Sequence, residues 1–260
     1  MSNLIVLVRK EWKQSLRDYK LLWLPIVFII LGITQPLMIQ FLPEILKSMG
    51  NAEGLQIDVV KQSGASILSS TYGQFDQIGM IILVVSMMGV VYVEKANGML
   101  DFILTRPVSA TTYIWSKYLG QFSIVILALG LGYLGSIYYT LLYYSTIPVK
   151  TMVVSFSLYL LWIVLVFSII VCFSTLLNGQ GGIAVCSLVV SQGLKIISSF
   201  DSMINKFNPA MLSNQAVNVL LSGKVADDLF WQVGVLCIFL LGVLVGTTWF
   251  IGNKKYSIES

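Results

Sequence analysis

Hydrophobic and polar positions fall along this chain in long blocks rather than in short periods. Six apolar runs, 21–42, 77–93, 119–144, 152–177, 183–199 and 230–252, are separated by shorter polar segments. At about 1.5 Å per helical residue, runs of this length suit a hydrocarbon core about 30 Å thick. The pattern predicts an all-α polytopic membrane protein, with residues 1–260 forming a single transmembrane domain of six transmembrane helices. Pro36 removes a backbone hydrogen bond from the first run and is expected to kink or loosen its far end. Gly130, Gly132 and Gly135 in the third run permit close helix contact, and tyrosines near its end fit an interfacial belt.

The polar segments carry their own patterns. In residues 1–20, Leu4, Val8, Trp12 and Leu16 recur every four positions, with Arg9, Lys10, Lys13, Arg17 and Lys20 around them. This reads as an amphipathic elbow helix in the headgroup layer, favoured over a plain basic flank, with Trp12 at the interface. Residues 43–76 read as an acid-rich outer loop containing Glu44, Glu53, Asp58 and Asp76, and 178–182 as a tight turn. Residues 200–229 are broken at Pro209 and Gly223, yet Met211, Leu212, Val217, Val219, Leu220 and Leu221 are too apolar for a free loop. Short helices dipping into or lying on the outer leaflet are expected there. Segment 94–118 predicts a helix of two turns from Met99 to Leu104 with Asp101 in its first turn, where the macrodipole favours an acid. Pro107 stops that helix, and Ser109 is placed to cap the next.

Composition supports this picture. The chain is 57% hydrophobic and 11% charged, with mean hydropathy +0.85. The net charge of +4 comes from short clusters at the ends of apolar runs, not from a basic stripe, so nucleic-acid binding is disfavoured. Assigning 1–20, 94–118, 178–182 and 253–260 to the inside places ten Lys and Arg there: Arg9, Lys10, Lys13, Arg17, Lys20, Lys95, Arg106, Lys117, Lys254 and Lys255. The outside segments hold five: Lys47, Lys61, Lys150, Lys206 and Lys224. This bias, with an even number of spans, predicts a multi-pass protein of the cell membrane with both termini cytoplasmic. The remaining cation, Lys195, falls within the fifth run, where the bilayer centre costs about 2.5–3.5 kcal/mol. It is expected to snorkel outward to the headgroups; the alternative is a substrate or gating contact.

Candidate chemistry is sparse. The chain has no histidine, and Cys172, Cys186 and Cys237 lie inside apolar runs as small hydrophobes, so no catalytic, metal-binding or cofactor-binding set is expected. Glu94, Asp101 and Arg106 sit at a membrane boundary without a nucleophile partner. No acid is evident inside a span, which weighs against a gradient-driven secondary transporter. A non-transporting sensor or immunity subunit stays open. No GxxxxGK[ST] loop occurs, so this chain has no phosphate cradle of its own. The first run is too long for the core of a cleaved signal peptide and is expected to remain a span.

Glu94-Lys95, Gly98-Met99-Leu100-Asp101-Phe102-Ile103-Leu104, Pro107-Val108-Ser109 and Lys117 resemble the cytoplasmic signature of six-span permeases of ATP-binding-cassette (ABC) exporters, the type-2 ABC family. Met99 stands where threonine is usual and Asp101 where glutamate is usual. The resemblance extends to the basic elbow and to Asn208-Pro209 and Ser222-Gly223 before the last span. It implies a permease, not itself an enzyme, that pairs with a second copy or sister permease and with cytosolic ABC ATPase subunits that bind ATP and Mg. It further implies that 98–107 is a coupling helix: Glu94 and Arg106 orient it, Gly98 and Pro107 bound it, and Leu100, Asp101, Phe102 and Leu104 meet the ATPase. Arg9, Lys10, Trp12, Lys13 and Arg17 then hold the elbow at the membrane surface. Export follows from the resemblance alone. The weakly polar span residues lean toward a hydrophobic or amphipathic substrate such as a peptide, drug or lipid.

Overall fold

The computed structural model describes residues 3–48, 63–105, 108–200, 203–226 and 228–253, which form helices and connecting turns without strands. Among the described residues, six helices are long and apolar enough to cross a membrane: Lys20–Leu42, Gly64–Ala96, Ala110–Tyr143, Val149–Leu176, Gln180–Ser198 and Leu229–Asn253. Large apolar side chains point away from the body along these helices, including Ile30, Val189, Ile238 and Trp249. Such a surface suits lipid rather than water, and helices are the open-ended form that can satisfy every backbone group there.

Helix α1 (Asn3–Arg17) turns sharply into α2 (Lys20–Ser48). The corner is Tyr19, a non-glycine residue at φ 55. Its carbonyl accepts from the amides of Leu22 and Trp23, so the turn also caps the start of α2. Helix α2 runs unbroken past Pro36 to Ser48, with the Pro36 carbonyl accepting from the Tyr144 hydroxyl at 3.1 Å.

The second span departs most from the sequence expectation. It begins at Gly64, inside the segment read as an outer loop, and comprises α3 (Gly64–Gln74), a π-helical turn at Phe75–Gly79, α4 (Met80–Met87) and α5 (Tyr92–Ala96). The run GASILSSTYGQ looks too polar for a span, but Ser66, Ser69, Ser70 and Thr71 donate to carbonyls three or four residues back. Hydroxyls satisfied within their own helix carry little cost in an apolar environment. Between α4 and α5, one hydroxyl spans the break. Ser174 Oγ accepts from the amides of Val91 and Tyr92 and donates to the Met88 carbonyl at 2.9 Å.

Helix α6 (Met99–Leu104) precedes α7 (Ala110–Tyr143), α8 (Val149–Leu176) and α9 (Gln180–Ser198). Helices α2 and α7 meet at their glycines: a Cβ on Gly32 would stand 2.0 Å from the Gly132 carbonyl oxygen, and one on Gly132 would stand 2.5 Å from the Phe28 oxygen. Backbone touches backbone, the arrangement small residues allow in membranes. Trp162, Tyr159 and Val166 of α8 are fully buried, making α8 a central post.

A 3-10 turn (Met203–Phe207) and α10 (Met211–Ser222) occupy the segment expected to hold short helices. Helix α10 dips into the body, burying Leu212, Ala216 and Val219. Ser155 of α8 donates to the Ala216 carbonyl at 2.6 Å. Helix α11 (Leu229–Asn253) closes the bundle from outside, with Gln232, Leu236, Thr247 and Ile251 as its buried residues. Residues 49–62, Lys254 and Lys255 lie outside the described residues.

Candidate functional site

The short helix α6 begins where Gly98 takes a left-handed conformation, φ 67, which glycine adopts without a Cβ penalty. This residue separates α6 (Met99–Leu104) from α5 (Tyr92–Ala96). Leu100 and Ile103 are buried, whereas Met99 and Phe102 are 46% and 56% exposed and Asp101 is exposed. Leu100 therefore holds the helix to the body, and Met99, Asp101 and Phe102 form its exposed face. Ser109 caps α7 as expected, accepting from the Thr112 amide at 3.2 Å. Arg106, Pro107 and the Leu104 side chain lie outside the described residues.

Beneath α6 is a network of buried charges. Glu94 on α5 accepts from the Tyr113 hydroxyl at 2.6 Å and pairs with Lys117 at 2.9 Å and with Lys10. Lys117 is 1% exposed and pairs again with Glu11 of α1 at 2.8 Å. The second Glu11 oxygen accepts from Gln121 at 2.8 Å, and Ser15 donates to Gln121 at 3.4 Å. Tyr113, Lys117 and Gln121 stand four apart on one face of α7. Gly120 lets α1 approach that face, since a Cβ there would lie 2.5 Å from the Glu11 Cβ. Two glutamates and two lysines balance in a place where a lone ion would be costly.

The elbow meets the body through polar residues: its buried residues are Glu11 and Ser15, while Leu16 of the apolar stripe is 50% exposed. Lys10 serves the ion network. Arg9, Lys13 and Arg17 are exposed, and Trp12 donates to Ser123 at 3.1 Å. An open recess of about 480 Å³ separates the elbow from the α5–α6 corner, with Lys13, Arg17 and Asp18 on one wall and Glu94, Asn97 and Met99 on the other. Lys95 donates to the carbonyls of Thr175 and Leu177 at 3.0 and 3.3 Å, placing a cation at the C-terminus of α8.

A second polar cluster lies toward the other end. Asp76, read as a loop residue, is instead buried in the π-helical turn. Lys195 does not snorkel; it pairs with Asp76 at 2.7 Å. Tyr159 and Trp162 donate to one carboxylate oxygen, each at 3.2 Å, and Ser213 to the other at 2.7 Å. The second span thus contains an acid that the hydropathy pattern concealed.

The sequence offered faint signals for these residues. Glu11 is the lone acid of an otherwise basic helix, and Lys117 stands eight residues into a helix that continues as a span. Among the described residues no group of three or more His, Cys, Asp or Glu converges as a metal site.

Comparison with known proteins accords with this architecture. Residues 5–250 match the family described as ABC-2 family transporter protein. The uncharacterized transmembrane protein YxlG of Bacillus subtilis (strain 168) is 35% identical over 246 residues, covering 94% of this chain and 95% of that protein. A match over nearly the whole chain, on six membrane-length helices, leads to one assignment: the chain belongs to the ABC-2 family of transporter membrane proteins.

Proposed function

We propose that this chain is the permease subunit of an ATP-driven exporter, coupled through α6 to a separate cytosolic ATPase that binds ATP and Mg. The observation that carries the reading is the division of α6 into two faces. Leu100 and Ile103 are buried and anchor it, while Met99, Asp101 and Phe102 are exposed. A partner gripping that face would pull on α5 and α7, which Glu94, Tyr113 and Lys117 join to the elbow. Two permeases, identical or sister, would frame the pathway in the cell membrane. The weakly polar character of the spans favours a hydrophobic or amphipathic cargo such as a peptide, drug or lipid.

Affinity purification from a mild detergent extract tests this. An ATPase is expected to co-purify with the parent chain at about equal stoichiometry and to be lost from an Asp101→Lys/Phe102→Asp variant that remains folded. Retention of the ATPase by that variant overturns the docking role of α6. Asp76 supports a second reading, since a buried acid within a span is what a gradient-driven carrier uses. Transport that persists without ATP and collapses with the ion gradient would favour it.

A further inference from the structure

The far half of α9 is seated in an unusual way. Its apolar residues Val189, Ile196 and Ile197 are 65%, 60% and 43% exposed, while the buried residues there are Ser191 and Ser198. Leu188 and Leu194 add partial apolar contact. The remaining attachments are polar and directed. Gln192 donates to the Asp76 carbonyl at 3.0 Å, Asn208 donates to the Leu194 carbonyl at 3.0 Å, and Asn214 donates to Ser198 Oγ at 3.3 Å. Lys195 is the centre of the set: its ammonium donates to Ser213 at 2.8 Å and Asn214 at 3.2 Å besides pairing with Asp76.

Four elements therefore converge on one carboxylate: the π-helical turn that carries it, α8 through Tyr159 and Trp162, α9 through Lys195, and α10 through Ser213. All three ammonium protons have acceptors, and both carboxylate oxygens have two donors each. The pair forms the floor of a polar recess of about 320 Å³, which Gln77, Gln192, Ser199 and Asn214 also line. Directional bonds of this kind hold a helix firmly while they last and weakly once one partner leaves, because few apolar contacts remain to take the load. A π-helical turn, one residue wider than an α-turn, is a common device for aiming a functional side chain within a helix.

We propose that Asp76 and Lys195 form a clasp that holds the far half of α9 against the second span and α10, and that its release opens the recess between them. The device would gate the end of the bundle opposite α6. Its test needs neither a partner nor a transported substrate, so its outcome is independent of the permease reading.

The experiment uses the full chain in detergent with Cys172, Cys186 and Cys237 replaced by Ala and the fully buried Ser191 changed to Cys. A small water-soluble thiol reagent reports when position 191 meets water. In an Asp76→Asn/Lys195→Met background both charges vanish together, leaving no stranded ion. Labelling at position 191 is expected to accelerate by at least about tenfold, equivalent to about 1.4 kcal/mol removed from the closed state. Unchanged labelling in a double variant that unfolds at the parent temperature overturns the clasp and leaves the pair as a fixed staple. Ser213→Ala, which removes a hydroxyl touching both ions, supplies a milder test should the double variant fail to fold. It is expected to give an intermediate acceleration, and labelling at the parent rate would equally refute the proposal.

Discussion

At the scale of the residue, Lys117 is the position on which the α6 end of the molecule depends. Its ammonium stands between Glu11 at 2.8 Å and Glu94 at 2.9 Å, with 1% of the side chain exposed. Lys117→Met fills a similar volume but leaves two carboxylates with Lys10 and the neutral donors Tyr113 and Gln121. The expected cost is about 3–5 kcal/mol, the usual result of removing one partner from a buried ionic set. Thermal unfolding of the purified protein reads it, and Lys117→Met/Glu11→Gln should recover part of the loss by restoring charge balance. The asymmetry with Asp101 is instructive. That residue, exposed on α6, is expected to tolerate Asp101→Asn with no measurable change in unfolding temperature, since little solvent is removed from it.

At the scale of the element, the glycines and hydroxyls decide which helices touch. Gly32→Ala would place a methyl 2.0 Å from the Gly132 carbonyl oxygen, so α2 and α7 must separate. A loss of about 3 kcal/mol, at the upper end of overpacking costs, is expected, whereas Gly73→Ala, with open space around it, should be harmless. Comparing detergent-extracted folded yield and unfolding temperature of the two variants checks this. The same elements show what was legible in advance. Long apolar runs announced six spans, and Ser109, Gly98 and the α6 sequence announced the short helix, because these signals are local. The start of the second span was hidden, since Ser66, Ser69, Ser70 and Thr71 conceal their hydroxyls by bonding along their own helix. Asp76 was misplaced because its partners Tyr159, Trp162, Lys195 and Ser213 lie more than eighty residues away in the chain. How the elbow docks on the body was not legible, because Glu11 finds its partners on α7, more than a hundred residues away in the chain.

At the scale of the whole molecule, the two ends differ in kind. One end bears α1, α6 and the balanced network of Glu11, Glu94, Lys10 and Lys117; the other holds α10 and the Asp76–Lys195 pair. From the two-to-one distribution of basic residues, the α6 end is expected to face the cytoplasm. Protease-cleavable tags on the two termini should therefore both be cut in inside-out vesicles and both be protected in intact cells. Cleavage of one tag from each side would overturn the even number of crossings.

The break in the second span carries a mechanical consequence. A continuous helix transmits twist and thrust along its own axis, but here α4 and α5 are separate rods meeting at a pinned joint. The pin is Ser174 of α8, and Lys95 adds a tether to the carbonyls of Thr175 and Leu177. Torque applied at α6 would thus pass sideways into α8, the best-buried post of the bundle, before it reached α4. Ser174→Ala removes the pin without adding bulk, and the second span would then answer a push as a loose hinge.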